Sequence, residues 1–310
     1  MLRVNPKEIP IPKLHGYLLG AVAPRPIALA STLDKDGNPN LAPFSFFNVF
    51  GSNPPIAIFS PARKGKDNTS KHTYENIIET MEVVINVVNY NMVQQVSLAS
   101  AEYPKGVNEF VKTGLTPEKS EMVKPFRVKE SPVQMECKVR QVVPLGNKAG
   151  SGNLIIAEIL LLHINEKVLN KEGNIDPHAI DLVSRMGRDF YCRASGSAVF
   201  EVEKPLLKLG IGVDNIPAAI RNSSILTGNN LGQLGNVEKL PDETSVNEYK
   251  LLLLSEIFMK YSGNKKELEG LVKAGVLGFK AFLCHSGIDE FPSVHEADLK
   301  ECLPVLASHD

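Results

Sequence analysis

Residues 24–48 read PRPIALASTLDKDGNPNLAPFSFFN, and no other stretch constrains the fold of this chain as tightly. Apolar residues fill Ile27 to Ala30, Asp34-Lys35-Asp36-Gly37-Asn38 supplies a turn, and Leu41 to Phe47 resumes an extended run. Two such runs around a turn of Asp, Gly and Asn form a β-hairpin. Alternation leaves Ser45 and Asn48 polar among Phe44, Phe46 and Phe47. Polar side chains beside aromatics need hydrogen-bond partners. A flat ligand with a polar edge meets that need better than water does.

The hairpin opens a strand-rich region that reaches about residue 165. Candidate strands are Ile27–Leu33, Asn40–Phe47, Ile56–Ser60, Glu82–Val88, Val133–Val143 and Asn153–Ile164. The last two flank a loop from Pro144 to Gly152 whose glycines permit a reversal. Short helices interrupt the series, one starting near Ser70 with Thr73 and Glu75 in its first turn, another from about Met92 to Ala101 before Pro104. Many short strands with few helices predict a mainly β protein with flanking helices, closed into a barrel.

Residues 166–240 read as loop, with a short helix near Pro177–Ser184. The run Asn222–Gly232 reads as loop and Gly228 to Gly235 as a turn, because no strand and helix flank it as a dinucleotide site requires. The glycines of Gly146 to Gly152 lack the following GK[ST] of a nucleotide P-loop. Val246 to Tyr261 reads as a helix. The character then changes at Gly263-Asn264. Residues 264–310 read as an α/β unit, with a helix over Lys265–Ala274, a strand over Leu277–Leu283 and a helix from about Glu296.

A net charge of −1 argues against general polyanion binding, so no nucleic acid is expected. No apolar run approaches a membrane span, Leu251 to Leu254 being too short, and the N-terminus lacks the apolar core of a signal peptide. Cys137, Cys192, Cys284 and Cys302 are widely spaced without a CxxC pair, which suits reduced, buried thiols and a cytoplasmic protein. Seven histidines without an HxH or HExxH pattern predict no metal site in the strand-rich part.

The hairpin text P-R-P-I-A-L-A-S-T, then D-x-x-G-x-x-N-L-A-P-F-S-F-F-N, then Asn53-Pro54-Pro55, resembles the flavin reductase-like family of the FMN-binding split barrel. The resemblance implies FMN as cofactor, NAD(P)H as a candidate electron donor, and a small molecule or protein as acceptor. It also implies a homodimer with FMN near the subunit interface. No catalytic residue beyond FMN itself is expected, because the cofactor carries the chemistry. A non-catalytic, flavoredoxin-like electron-transfer protein is the competing reading.

FMN combines a polar pyrimidine edge with a phosphate. Ser31, Thr32, Ala42 and Ser45 suit the ring edge, and Asn48 suits the pocket rim, with turn formation as its other role. The run Asn68-Thr69-Ser70-Lys71-His72-Thr73 opens a helix and suits the phosphate. By resemblance, Ser70, Lys71 and Thr73 carry the phosphate role, while His72 stands where the family often has Asp and is assigned no direct contact. Plain helix capping by Thr69 or Ser70, with Lys71 a solvated charge, also fits this run. Arg25, held extended by Pro26, fits a phosphate or flavin edge and fits a surface ion pair equally. In Ser184–Tyr191, the residues Arg185, Gly187 and Tyr191 match a stretch that approaches the flavin in the family, while Arg188 and Asp189 depart from it. Arg185 or Arg188 suits a nicotinamide cofactor's phosphates or a salt bridge to Asp181 or Asp189.

The segment after Asn264 carries A-G-V-L-G-F-K-A-F-L and H-S-G-I-D-E-F-P, and resembles an interior strip of allantoinase, a cyclic amidohydrolase. In that family the lysine at the place of Lys280 is carboxylated and bridges two metal ions. The partner ligands of that site have no counterpart here, so an ordinary lysine and no amidohydrolase activity are expected. The expected division is 1–240 for the barrel unit, 241–262 for its C-terminal helix, and 263–310 for a loosely attached, non-functional fragment.

Overall fold

The computed structural model describes residues 1–205 and 209–250. Contacts divide the chain between Glu201 and Val202, inside the stretch expected to form one unit up to residue 262. The first unit opens with α1 (Ile11–Ala21) and continues through β1 (Ala28–Leu33), β2 (Pro39–Phe44), β3 (Phe47–Ser52) and β4 (Pro55–Phe59). Then come α2 (His72–Thr80), β5 (Glu82–Val87), a 3-10 turn at Tyr90–Met92, α3 (Val93–Leu98) and α4 (Glu109–Thr113). Strands β6 (Pro117–Glu118), β7 (Arg127–Val128), β8 (Val133–Pro144), β9 (Asn153–Ile164), β10 (Val183–Arg185) and β11 (Tyr191–Arg193) complete it.

The hairpin forms as its sequence dictates, with Ala30 opposite Ala42. The Asp34 carboxylate accepts the N–H groups of Asp36 at 3.0 Å and Asn38 at 2.8 Å. Gly37 takes φ +86°, a conformation side chains disfavour. The second strand does not run on to Phe47 as expected. It breaks at Ser45-Phe46 and restarts as β3, because β2 pairs with β1 whereas β3 pairs with β4.

Seven strands form one sheet in the order β2-β1-β5-β8-β9-β4-β3, and every neighbouring pair is antiparallel. The two edge strands are consecutive in the chain and joined by only Ser45 and Phe46. The sheet must therefore curl until its ends approach, yet no ladder joins β2 to β3. The Ser60 N–H, which donates to the Phe46 carbonyl at 2.9 Å, ties β4 to this joint. The result is a split barrel. Register shifts in β8–β9 at Glu136/Cys137 and Val139/Gln141 supply bulges, which bend long strands.

Alternation along β1 sends Ala28 and Ala30 into a cluster with Phe59, Ile85, Ile155 and the α2 residue Ile77. Leu29 joins Leu41, Met92, Val96 and Phe110 beneath α3 and α4 on the other face. Both faces are covered, which is why every β1 residue is buried.

Two expectations are corrected. No helix forms at Pro177–Ser184: the Asp176 carboxylate accepts the His178 and Ala179 N–H groups, and the chain passes into β10. In the second unit the loop read over Asn222–Gly232, and the turn over Gly228 to Gly235, give way to α6 (Gly228–Leu234), preceded by α5 (Ala218–Arg221). Thr227 and Asn230 form a capping box at its start, a legible signal that the glycines outweighed. Residues 243–250 are helical, starting the helix expected over Val246–Tyr261. The rest of that helix, Lys280 and the α/β elements of 264–310 lie outside the described residues.

Candidate functional site

Along one side of β2, Pro39 and Pro43 have no N–H to offer, and between them the Leu41 N–H donates to Glu109 Oε2 at 3.1 Å. This open edge is thus closed to another strand. A cleft of about 150 Å³ lies beside it, lined by Asn40, Ala42, Pro43 and Phe44 of β2 and by Lys71, His72 and Thr73 at the start of α2. Lys64, Glu109 and residues 99–103 complete the wall.

Two buried hydrogen bonds dock α2 here, from Asn40 Nδ2 to Thr73 Oγ1 at 2.9 Å and from Asn76 Nδ2 to Thr32 Oγ1 at 3.1 Å. The preceding loop is held by its own side chains. Arg63 Nε donates to Asn68 Oδ1 at 2.8 Å, and the Asp67 carboxylate accepts the Thr69 N–H at 3.0 Å. Lys71 occupies the cap position of α2, and no side chain caps it. Capping by Thr69 or Ser70 is therefore ruled out, and the positive end of the helix faces the cleft with its first N–H groups uncapped.

The charges are balanced rather than uniformly basic. Lys71 Nζ lies 3.1 Å from Glu102 Oε1, so it is paired rather than merely solvated, and this contact holds the Glu102 carboxyl below its usual range. Burial, reinforced by Lys64, Lys105 and Lys71 and opposed by Glu75, pushes the His72 imidazole down. Burial also raises the Glu109 carboxyl, with the Leu41 N–H partly offsetting it. Cationic side chains, a helix start and half-buried walls suit a phosphate monoester.

The expected site residues fall in several places. Ala42, Lys71 and Thr73 come together in the cleft, and half-buried Ser70 directly precedes them. Ser31 and Thr32 do not share a ring edge, because neighbours on a strand face opposite sides. Thr32 is engaged by Asn76, while the fully buried Ser31 hydroxyl has no hydrogen-bond partner among the described residues. Arg25 and Ser45 meet at the barrel split, where Arg25 Nε donates to Ser45 Oγ at 3.4 Å. Arg25 is buried, and its Nη1 donates to the carbonyls of Leu19, Val22 and Met186. It is no surface ion pair. Asn48 is exposed on β3, its Oδ1 accepting the Val49 N–H at 2.8 Å.

Arg185 is bridged to Arg25, each N–H donating to the other's carbonyl at 2.9 Å, and its side chain lies 4.6 Å over the Tyr191 ring, donating to Tyr191 Oη at 2.8 Å. The salt bridge to Asp181 is made instead by Arg193, with Nε 2.7 Å from Oδ1. Arg185 and Arg193 border a second cleft of about 440 Å³ with Tyr90, Gln94 and Tyr191. Sequence reasoning missed Asn40, Lys64, Glu102 and Glu109. Asn40 had a signal, being a polar residue at the start of an otherwise apolar strand. Among the described residues no cluster of His, Cys, Asp and Glu could hold a metal ion, and no helix is long and apolar enough to cross a membrane.

The family described as Flavin reductase like domain matches residues 20–178. The chain belongs to this family. A protein of Aquifex aeolicus is 38% identical over 196 residues, covering 63% of this chain and 97% of its own length. Nitrilotriacetate monooxygenase component B from Bacillus cereus is 31% identical, with a TM-score of 0.61 over 65% of this chain and 98% of that one. 2-Nitrobenzoate 2-nitroreductase from Pseudomonas fluorescens has the same fold, with a TM-score of 0.58 at 23% identity over 65% of this chain and 96% of that one. Short stretches also match allantoinases, such as that of Arabidopsis thaliana, 50% identical over 46 residues. That match covers 15% of this chain and 9% of the allantoinase, in keeping with the interior fragment expected after residue 263.

Proposed function

We propose that this flavin reductase-like chain is an FMN-dependent oxidoreductase. The observation that carries the reading is the β2–α2 cleft, where Lys64, Lys71 and an uncapped helix start converge. Lys64 and Lys71 would hold the phosphate, and Thr73, fixed by Asn40, would set the approach of the backbone. From there β2 leads along Ala42 to Ser45 at the barrel split, where the flavin ring would lie. Arg25 donates to Ser45 Oγ, which leaves the Ser45 O–H free to donate toward the ring's polar edge. Bound FMN would supply hydride or electron transfer from a reduced donor, here assigned as NAD(P)H, to an acceptor. The relative named as component B of a monooxygenase supports an acceptor that is a second protein.

A homodimer fits the exposed apolar surface. Helix α1 buries no residue, and Ile11, Leu18, Val49 and Phe50 are each more than half exposed. Exposed apolar side chains on α1 and β3 suit association. A cytoplasmic protein without nucleic-acid or membrane partners, whose residues 263–310 add no amidohydrolase activity, completes the proposal.

The test is an absorbance spectrum of the purified full-length protein, with the released cofactor identified by mass, followed by stopped-flow reduction with NADH and NADPH. Failure to bind FMN after reconstitution would remove the reading. Binding without reduction by either nucleotide would leave an electron-transfer protein in place of a reductase.

A further inference from the structure

The three side chains at the start of α2 differ in what already engages them. Lys71 is paired with Glu102, and Thr73 is buried against Asn40. His72 lies between them on the cleft wall, half-buried, and among the described residues no hydrogen bond engages its imidazole. A ring at the cleft surface with two unengaged nitrogens can donate one hydrogen bond when neutral and two when protonated.

Its charged surroundings come from four elements. The loop before α2 contributes Lys64, and α2 contributes Glu75 beside Lys71. The segment after α3 contributes Glu102, Tyr103 and Lys105, and α4 contributes Glu109. Glu102 is paired with Lys71, and Lys105 Nζ lies 3.7 Å from Glu75 Oε2. Glu109 is turned to the Leu41 N–H. Glu75 alone favours an imidazolium, against burial and three lysines, and an incoming phosphate would add to it.

We propose that His72 is a proton-coupled ligand for the phosphate end of the cofactor, so that binding FMN takes up a proton at the imidazole. This rests on the FMN reading above. In the free protein, burial and the neighbouring lysines hold the ring neutral near pH 7. A phosphate dianion reverses the balance, because an opposite charge at contact favours the charged form. By linkage, affinity for FMN falls as pH rises from the lowered value of the free ring to the raised value it acquires in the complex, and levels off above that. The second phosphate proton is lost near pH 6, at roughly one unit below the working range, so the phosphate itself stays dianionic in the test.

The experiment is calorimetric titration of the full-length protein with FMN near pH 7, repeated in phosphate-free buffers of different ionisation heat. Riboflavin, which lacks the phosphate, and inorganic phosphate alone are titrated in parallel. Expected is uptake of roughly half a proton or more with FMN, and close to none with riboflavin. His72→Gln should abolish the uptake and weaken FMN about tenfold, the loss of one charge-assisted hydrogen bond. His72→Asn serves if the first variant does not fold, as judged by circular dichroism. Equal uptake with FMN and riboflavin, or unchanged uptake in the folded variant, would overturn the proposal and leave the FMN reading standing. Absence of FMN binding to the unmodified protein would overturn both.

Discussion

Glu109 Oε2 accepts the Leu41 N–H at 3.1 Å, so a helix side chain closes the one backbone donor that the prolines leave on the open side of β2. Burial raises this carboxyl above its ordinary value of 4.5. The folded state therefore binds the proton more tightly than the unfolded chain does. The stability this contributes is complete below the unfolded value and is lost as pH rises through the folded one. Glu109→Gln keeps an acceptor for Leu41 without the charge. It should be more stable than the parent at pH 7, with the difference vanishing near pH 4. Glu109→Ala leaves the Leu41 N–H unpartnered and should cost about 1–3 kcal/mol by urea denaturation at either pH.

Glu136 presents the opposite sign. It is fully buried on β8, and its carboxylate accepts the N–H groups of Glu121 at 2.9 Å, Met122 at 2.6 Å and Val123 at 3.2 Å, with His163 Nε2 at 2.7 Å. Burial alone would push it up, but these contacts outweigh it and hold the carboxyl below its ordinary range. Its contribution is present above about pH 4.5 and lost as pH falls through the depressed value. Glu136→Gln should destabilise the barrel by about 3 kcal/mol at pH 7. The gap to the parent should narrow in acid. A gap that stays constant to pH 3 would show that the charge is not what the loop binds.

The difference between these carboxylates and the barrel strands is one of range along the chain. The strands are local patterns: alternation, a turn and a β-branched run are all contained within a dozen residues, and Glu82, Val133 and Asn153 open strands where the pattern says they should. The break at Ser45-Phe46 has no such local cause, since it follows from β2 and β3 belonging to opposite ends of the sheet. Glu109 meets Leu41 across 68 positions and Arg25 meets Met186 across 161, so both contacts exist only once the barrel has closed. The run from Ser70 to Thr73 at the start of α2 was legible because it is continuous in the chain. The acids that balance it, Glu102 and Glu109, come from separate segments.

The two cysteines of the first unit should separate chemically. Burial, with Glu136 adding to it, pushes the Cys137 thiol up to about 12, while Cys192 is half-buried at the second cleft. Thiolate fraction and access both govern alkylation. Iodoacetamide should label Cys192 at least about tenfold faster than Cys137 in the native protein, read by peptide mapping, and the rates should converge in denaturant. Comparable native rates would mean that the β8 face opens on the timescale of labelling.

On the proposed reading, Glu102 competes with a cofactor phosphate for Lys71. The ammonium that would pair with a phosphate already sits 3.1 Å from a carboxylate, and both groups are partly exposed, so their pair is weak. Binding a phosphate requires Lys71 to turn from Glu102 or to share itself, and the acid then lies close to the anion it repels. Glu102→Gln should therefore tighten FMN by about threefold to tenfold and leave riboflavin unaffected. Lys71→Met should weaken FMN by about tenfold, again sparing riboflavin. In the Lys71→Met background the benefit of Glu102→Gln should shrink, because its main partner is gone, and the four affinities form a cycle that measures the coupling. Fluorescence quenching of FMN at fixed salt supplies them. Additive effects across the cycle would mean that Glu102 acts on the phosphate alone, and a tighter complex for riboflavin would mean that the pair shapes the ring site instead.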